Sequence, residues 1–469
     1  MKVLLTILDG LADRPHKDLD GRTPLQAAST PVLDNLASLG ITGTMYPISP
    51  GIAPSSDIAH FVLFGYPIEE FPGRGYLEAL GEGFEIKDDE VVLRTSFVKV
   101  AEEPDHFQIV QRVTEHEEDL CLSLAKKISP EEFNGVKVRF VYTGQRQGLL
   151  FLEGDVSPDV TDSDPFSNNL PVIKVQPMAD ASESERAEKT ASALNKFLLR
   201  VHEKLRDEPL NFLVAKWAGP PRRAGRKKAL DPFWDRYSLK GASIASDILY
   251  KGLARTLGLD FYLHQDTPVI ASPDEGGAWQ SPNGPAIPST TSPPVIARSE
   301  ATWQSHSPQK DLIERFEKAR KLMEQGYDFV HVHTKVPDKA AHTKNPELKK
   351  EKIEALDGAF SLFLDDSWWR EDVLIAITAD HATPSQGDLI HSGEAVPLAM
   401  VGPTVGTDNV DRFDEVSCHQ GFLGQIYGRD LMPLILNYTD RIKYLGSRSF
   451  SKDYLAKPTL SRLIPLKPS

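Results

Sequence analysis

The sequence predicts an α/β chain: a central, mostly parallel sheet flanked by helices, with a smaller α+β domain inserted into it. Three observations carry this. Short apolar runs at 3–8, 329–333 and 373–378 have the length and branched content of strands buried on both faces. Segments of helical period, such as 312–325, alternate with them. From about residue 91 the texture changes to short strands grouped around one helix.

In chain order, the run Val3-Leu4-Leu5-Thr6-Ile7-Leu8 reads as a strand closed by Asp9-Gly10. Thr30-Pro31 opens a helix through Leu33 and Leu36, with proline at the first helical position. Ser56-Asp57 precedes the apolar run 58–64, a helix whose first turn carries Ser56. Strands are expected over 93–100, 107–113, 136–142 and 149–152, with a helix over 117–128 between them. The core pattern then resumes: helix 182–205, strand 211–215, helix 242–257 and strand 261–263. The resulting division is a discontinuous core of residues 1–90 and 178–469 and an inserted domain of 91–177. Residues 220–228 form a basic loop. Residues 266–310, rich in Pro, Ser, Thr and Gly and without periodicity or a ligand cluster, read as a disordered insertion within the core.

The 469 residues carry a formal net charge of −14, which disfavours a nucleic-acid partner. An acidic protein that handles anionic phosphates needs a local positive site, and metal ions supply one. Two cysteines, Cys121 and Cys418, imply no disulfide framework and fit a reducing, cytoplasmic setting. The apolar run after Met1-Lys2 is too short for a signal core, and no later stretch reaches membrane-spanning length without charges. A small phosphorylated substrate is expected; the oligomeric state stays open.

Five segments carry chemistry: Leu8-Asp9-Gly10, Ser55-Ser56-Asp57, Asp338 with His342, Ala379-Asp380-His381 and His391-Ser392-Gly393. Together they offer the carboxylates Asp9, Asp338 and Asp380, the imidazoles His342, His381 and His391, and the hydroxyl of Ser56. If Asp338 opens a helix, then Asp338 and His342, four apart, share one face of it. A mixed nitrogen and oxygen set suits Zn or Mn better than Ca. Seven ligands are too many for one tetrahedral ion and divide naturally between two. Each segment alone has a plainer reading: Ser56 as a helix cap, Asp338 and His342 as a solvated pair, His60 as a structural residue. Their joint order at strand and helix ends favours a two-metal site.

That order resembles the alkaline phosphatase superfamily and, within it, the archaeal-type cofactor-independent phosphoglycerate mutases. The resemblance runs through Ile7-Leu8-Asp9-Gly10-Leu11-Ala12-Asp13-Arg14-Pro15, Gly21-Arg22-Thr23-Pro24-Leu25 and Ser56-Asp57-Ile58-Ala59-His60. Gly73-Arg74-Gly75-Tyr76-Leu77-Glu78-Ala79-Leu80-Gly81 is its most specific stretch. Later come Lys335-Val336-Pro337-Asp338, Ile377-Thr378-Ala379-Asp380-His381-Ala382-Thr383-Pro384 and His391-Ser392-Gly393-Glu394. The match is dense over roughly the first ~85 residues and falls in islands beyond.

The resemblance implies an alkaline-phosphatase-like sheet and two divalent ions (Mn, Zn, Mg or Co), with no need of 2,3-bisphosphoglycerate. Asp9, Ser56, Asp380 and His381 would hold one ion; Asp338, His342 and His391 the other. Ser56 would carry the phosphoryl group between 3-phosphoglycerate and 2-phosphoglycerate. The inserted domain would be the lid and glycerate holder, and Lys240 falls at a phosphate-contacting lysine. Arg146, Arg112, Arg74 and Lys216 are the further substrate-contact candidates. The sequence departs from the family mainly in that domain: Gly144-Gln145-Arg146, Lys216-Trp217-Ala218-Gly219 and Asp164-Pro165-Phe166 replace Gly-His-Arg, Arg-Gly-Ala-Gly and Asp-Pro-His. Arginine and lysine are not equivalent at a bidentate anion site. These departures keep open a metal-dependent phosphatase, or a phosphotransferase acting on another small hydroxylated acid.

Overall fold

The computed structural model describes residues 1–114, 116–181, 184–219, 230–264, 307–365 and 368–441. The basic loop at 220–228 and nearly all of the expected insertion at 266–310 lie outside these residues. The chain divides into two compact units. The first comprises Met1–Phe71, Asp231–Tyr250 and Leu257–Ser469; the second comprises Pro72–Leu230 and Lys251–Thr256.

An eight-stranded sheet forms the centre of the first unit. Its spatial order is Asp260–Leu263, Gly241–Ala245, Phe329–Thr334, Lys2–Leu8, Val373–Thr378, Val396–Val401, Ile41–Tyr46 and Gly424–Tyr427. Val396–Val401 runs antiparallel to both of its neighbours; the other pairings are parallel. Lys2–Leu8 lies at the middle and is apolar at nearly every position because both of its faces are covered. Its register sets Ile7 beside His333 and Thr378, so Asp9 emerges level with the ends of two neighbouring strands. That is the carboxyl edge, where open α/β sheets place their sites.

One expectation is corrected here and three further strands are added. Residues 242–257 were read as one helix, but Gly241–Ala245 is a strand and the helix starts at Ile248. Small residues with helical propensity were overridden by burial between Phe329–Thr334 and Asp260–Leu263. Ile41–Tyr46, Val396–Val401 and Gly424–Tyr427 complete the sheet and were not anticipated. Pro397 argues against a strand by composition; here its carbonyl accepts the Thr378 hydroxyl at 2.8 Å.

In the second unit, Glu90–Glu102 pairs antiparallel with Phe107–Arg112, Gln147–Glu153 and Phe212–Gly219. Val136–Gly144 joins Gln147–Glu153, and Glu131–Phe133 joins Val136–Gly144. The strand read at 211–215 as part of the alternating core pattern therefore belongs to this second sheet. The helix Ser184–Leu205 presents Ala187, Ala191, Leu194, Phe197, Leu198 and Val201 to one core with Phe97, Val98, Phe212 and Leu213. The spacing of those residues is that of one helical face. This unit accordingly extends past the 91–177 segment expected from the sequence.

Candidate metal centre

Asp9 leaves the central strand and Gly10 turns the chain back with φ 63°. A side chain at Gly10 would come within 2.4 Å of Thr383 Oγ1 and 2.9 Å of Asp338 Cβ, so only glycine permits this approach. The Gly10 N–H donates to Asp380 Oδ1 at 3.1 Å, tying the ends of two adjacent strands together. Ser56 is the first residue of the helix Ser56–Leu63, behind Ser55 at the cap position. The helix Val336–His342 carries Asp338 in its first turn and His342 at its last residue. His391 is fixed by its Nδ1, which donates to the Pro54 carbonyl at 2.8 Å.

These elements bring together all seven residues singled out for the metals and the nucleophile. His381 Nε2 lies 3.0 Å from Ser56 Oγ and 3.3 Å from both Asp9 Oδ1 and Asp380 Oδ2. His342 Nε2 lies 3.2 Å and His391 Nε2 3.8 Å from Asp338 Oδ1. The rings of His381 and His391 stack at 3.7 Å. Asp9, Asp380 and His381 form one set with donor atoms spaced for a single ion; Asp338, His381 and His391 form another. His381 thus stands between the two sets, whereas the sequence assigned it to one alone.

The donor set fits divalent ions. The Thr383 hydroxyl donates to Asp338 Oδ1 at 2.8 Å and so accepts from His381 Nδ1 at 3.1 Å. His381 Nε2 therefore carries no proton, and its lone pair faces Ser56 Oγ, Asp9 Oδ1 and Asp380 Oδ2. Both of those carboxylate oxygens are buried with no hydrogen-bond partner. Three lone pairs converging in a closed space repel one another unless a cation lies between them.

Ionisation supports the same conclusion. Burial pushes the Asp380 carboxyl well above its ordinary range, and the neighbouring Asp9 charge adds to the effect. Burial would raise Asp9 too, but the hydrogen bond with His333 and the attraction of His381 carry it well below that range. Burial, with His391 beside it, lowers His381 to about 3, so the ring stays neutral as a ligand must.

Three buried histidines went unassigned or undervalued in the sequence. His333 Nε2 meets Asp9 Oδ2 at 3.0 Å. His60 Nδ1 donates to the Ser56 carbonyl at 2.7 Å and lies 3.5 Å from Asp380 Oδ2. His331 Nδ1 meets Ser243 Oγ at 2.9 Å. The signal was the alternation His331-Val332-His333 in a buried strand, which puts both rings on one face next to the Asp9 strand.

The substrate-contact candidates fare differently. Lys240 is not brought to these groups. It precedes Gly241–Ala245, at the opposite end of a strand parallel to Phe329–Thr334, and its ammonium lies over the Tyr327 ring at 4.0 Å. Lys335 is the cation near Asp9: its charge contributes to lowering the Asp9 carboxyl, and its Nζ bonds Asp247 at 3.2 Å. In the second unit, Arg112 makes two hydrogen bonds to Asp164, at 3.2 and 2.5 Å, and Lys216 bonds the same carboxylate at 2.6 Å. Arg74 bonds Glu78 at 2.8 Å and lies over the Trp217 ring. Arg146 follows Gln145 in a left-handed turn, with φ 63°.

The fold and the clustered donor groups are those of a metalloenzyme, and a model of the metalloenzyme superfamily matches residues 295–438. A model of the 2,3-bisphosphoglycerate-independent phosphoglycerate mutases matches residues 37–211. The chain is 38% identical to 2,3-bisphosphoglycerate-independent phosphoglycerate mutase 2 of Methanocaldococcus jannaschii, with 96% of each covered. It is 34% identical to the mutase of Methanopyrus kandleri, over 95% of this chain and 98% of that one. A solved protein structure from Pyrococcus horikoshii, 28% identical, matches 95% of this chain and 99% of its own with a TM-score of 0.68. The cofactor-independent phosphoglycerate mutase of Thermoplasma acidophilum, 27% identical, matches with a TM-score of 0.57 over 94% and 100%. The chain belongs to the 2,3-bisphosphoglycerate-independent phosphoglycerate mutase family.

Proposed function

We propose that this protein interconverts 3-phosphoglycerate and 2-phosphoglycerate in the cytoplasm, through a phosphoserine at Ser56. The observation that carries the reading is the position of Ser56 Oγ: it opens a helix, 3.0 Å from His381 Nε2 and beside two carboxylates with unpartnered oxygens. Asp9, Ser56, Asp380 and His381 would hold one divalent ion and Asp338, His342 and His391 a second; bound there, they lower the pKa of the serine hydroxyl and offset charge on the phosphoryl group.

Ser56 Oγ attacks phosphorus, the bond from phosphorus to the glycerate oxygen breaks, and glycerate stays bound. After glycerate turns, its other hydroxyl takes the phosphoryl group from Ser56. The N–H groups of the first turn of Ser56–Leu63 face the incoming phosphate, where the helix dipole favours negative charge. Lys335 takes the phosphate-side role that the sequence gave to Lys240. Arg74, Arg112, Arg146 and Lys216 are assigned to the substrate on family resemblance.

Ser56→Ala tests the reading. The variant keeps its metals, because six ligands remain, and loses turnover by more than about 10³-fold. Acid quenching of the unaltered protein during turnover yields a phosphorylated peptide containing Ser56. Near-normal turnover by the variant, or no label on that peptide, removes Ser56 from the mechanism.

A further inference from the structure

Asp9 is held by more than its place at a strand end. Its Oδ2 accepts a hydrogen bond from the Tyr250 hydroxyl at 3.1 Å and pairs with His333 Nε2 at 3.0 Å. Its Oδ1 has no hydrogen-bond partner and faces His381 Nε2 at 3.3 Å. The two oxygens of one carboxylate are thus divided: one is fully engaged by the protein and one is left for a ligand. The division is rigid. Asp9, His333 and Tyr250 are all essentially inaccessible to solvent, and the rings of Tyr250 and His333 pack at 4.1 Å. His60 closes the other side, 4.9 Å from Tyr250 and 5.1 Å from His333.

The backbone reinforces this arrangement. Asp9 N–H donates to the Thr334 carbonyl at 3.0 Å, fixing the Asp9 Cα beside the strand that bears His333. An ionised Asp9 requires His333 Nε2 to carry the proton, which sets the His333 tautomer.

We propose that Tyr250 and His333 are positioning residues that lock Asp9 Oδ2 and thereby aim Oδ1 at the metal shared with Ser56, Asp380 and His381. Both act through Asp9, and the inference rests on the reading of Asp9 as a metal ligand. A ligating carboxylate with a free second oxygen rotates or protonates more easily, and loss of such an outer partner typically weakens metal binding by about 10–100-fold.

The test is calorimetric titration of Mn²⁺ into the full-length, metal-free protein. Tyr250→Phe removes only the hydroxyl and keeps the ring packing. His333→Leu removes the donor, and His333→Gln restores one at a similar reach. The expected result is two classes of Mn²⁺ site, of which one weakens by about 10–100-fold in Tyr250→Phe and His333→Leu while the other is unchanged. His333→Gln recovers most of the loss. Asp9→Asn serves as the reference and loses one class outright. Unchanged binding in Tyr250→Phe overturns the inference, and so does equal weakening of both classes, which marks general loosening. If Asp9→Asn itself binds Mn²⁺ normally, the reading of Asp9 as a ligand fails instead.

Discussion

Thr383 shows how much a single hydroxyl controls in this site. By donating to Asp338 and accepting from His381, it links the two ligand sets and fixes which imidazole nitrogen is bare. Thr383→Val keeps the shape but leaves the buried His381 Nδ1 without a partner and takes one of its hydrogen bonds from Asp338. It is expected to cost about 1–3 kcal/mol of stability and about tenfold or more in metal affinity. Denaturant midpoints and Mn²⁺ titration check this. Glu415 offers a pH signature. Although the residue is only partly buried, its carboxyl is enclosed, and burial raises it to about 7 while Thr23 and the Asp13 N–H donate to it. A raised carboxyl stabilises the fold below its unfolded value of about 4.3, and that contribution is lost as pH rises through about 7. Between pH 5 and 8 the wild type should therefore lose stability relative to Glu415→Gln; a pH-independent difference in urea midpoints contradicts this. The clustering of Asp9, Ser56, Asp338, His342, Asp380, His381 and His391 was legible, because Asp-Gly, Asp-His and Ser-Asp at element ends have few other uses in such an order. Tyr250 and His333 were not, because a tyrosine in a helix and a histidine in an apolar strand look like ordinary core until the strands are set side by side.

Among the elements, the helix Pro346–Asp357 anchors the loops that carry the ligands. Its Lys349 is fully buried and donates to the carbonyls of Ala12 and Thr383, each at 2.9 Å, and to Asp13 Oδ2 at 3.1 Å. Asp13 in turn accepts from the backbone and hydroxyl of Ser385. One ammonium thereby joins the segment after Asp9 to the segment after His381. Lys349→Met leaves the buried Asp13 carboxylate without its ammonium partner and should cost about 3–5 kcal/mol in urea unfolding. A loss below 1 kcal/mol would show that the loops hold without it. At this scale the sequence was readable where burial and propensity agree, as in Lys2–Leu8 and Phe329–Thr334. It misled where they conflict: Gly241–Ala245 holds two helix-favouring alanines yet is buried as a strand, and Pro397 sits inside one. Phe212–Gly219 was placed in the wrong sheet because local pattern does not reveal a partner more than a hundred residues away.

For the molecule as a whole, a net charge of −14 makes the metals and a few placed cations the means of attracting a phosphorylated acid. Among the described residues, no helix is long and apolar enough to cross a membrane. The stretch 272–306 has no periodicity and no cluster of ligands in its sequence, so its deletion should leave turnover of the same order; a large fall in kcat would make it part of the site. The central claim is that Ser56 passes a phosphoryl group between two positions of one acid and not to water. The most direct measurement supplies the Mn²⁺-loaded protein with 3-phosphoglycerate and follows the products by phosphorus NMR. The account predicts that 2-phosphoglycerate appears without inorganic phosphate. Release of inorganic phosphate, or an unchanged spectrum, would contradict it.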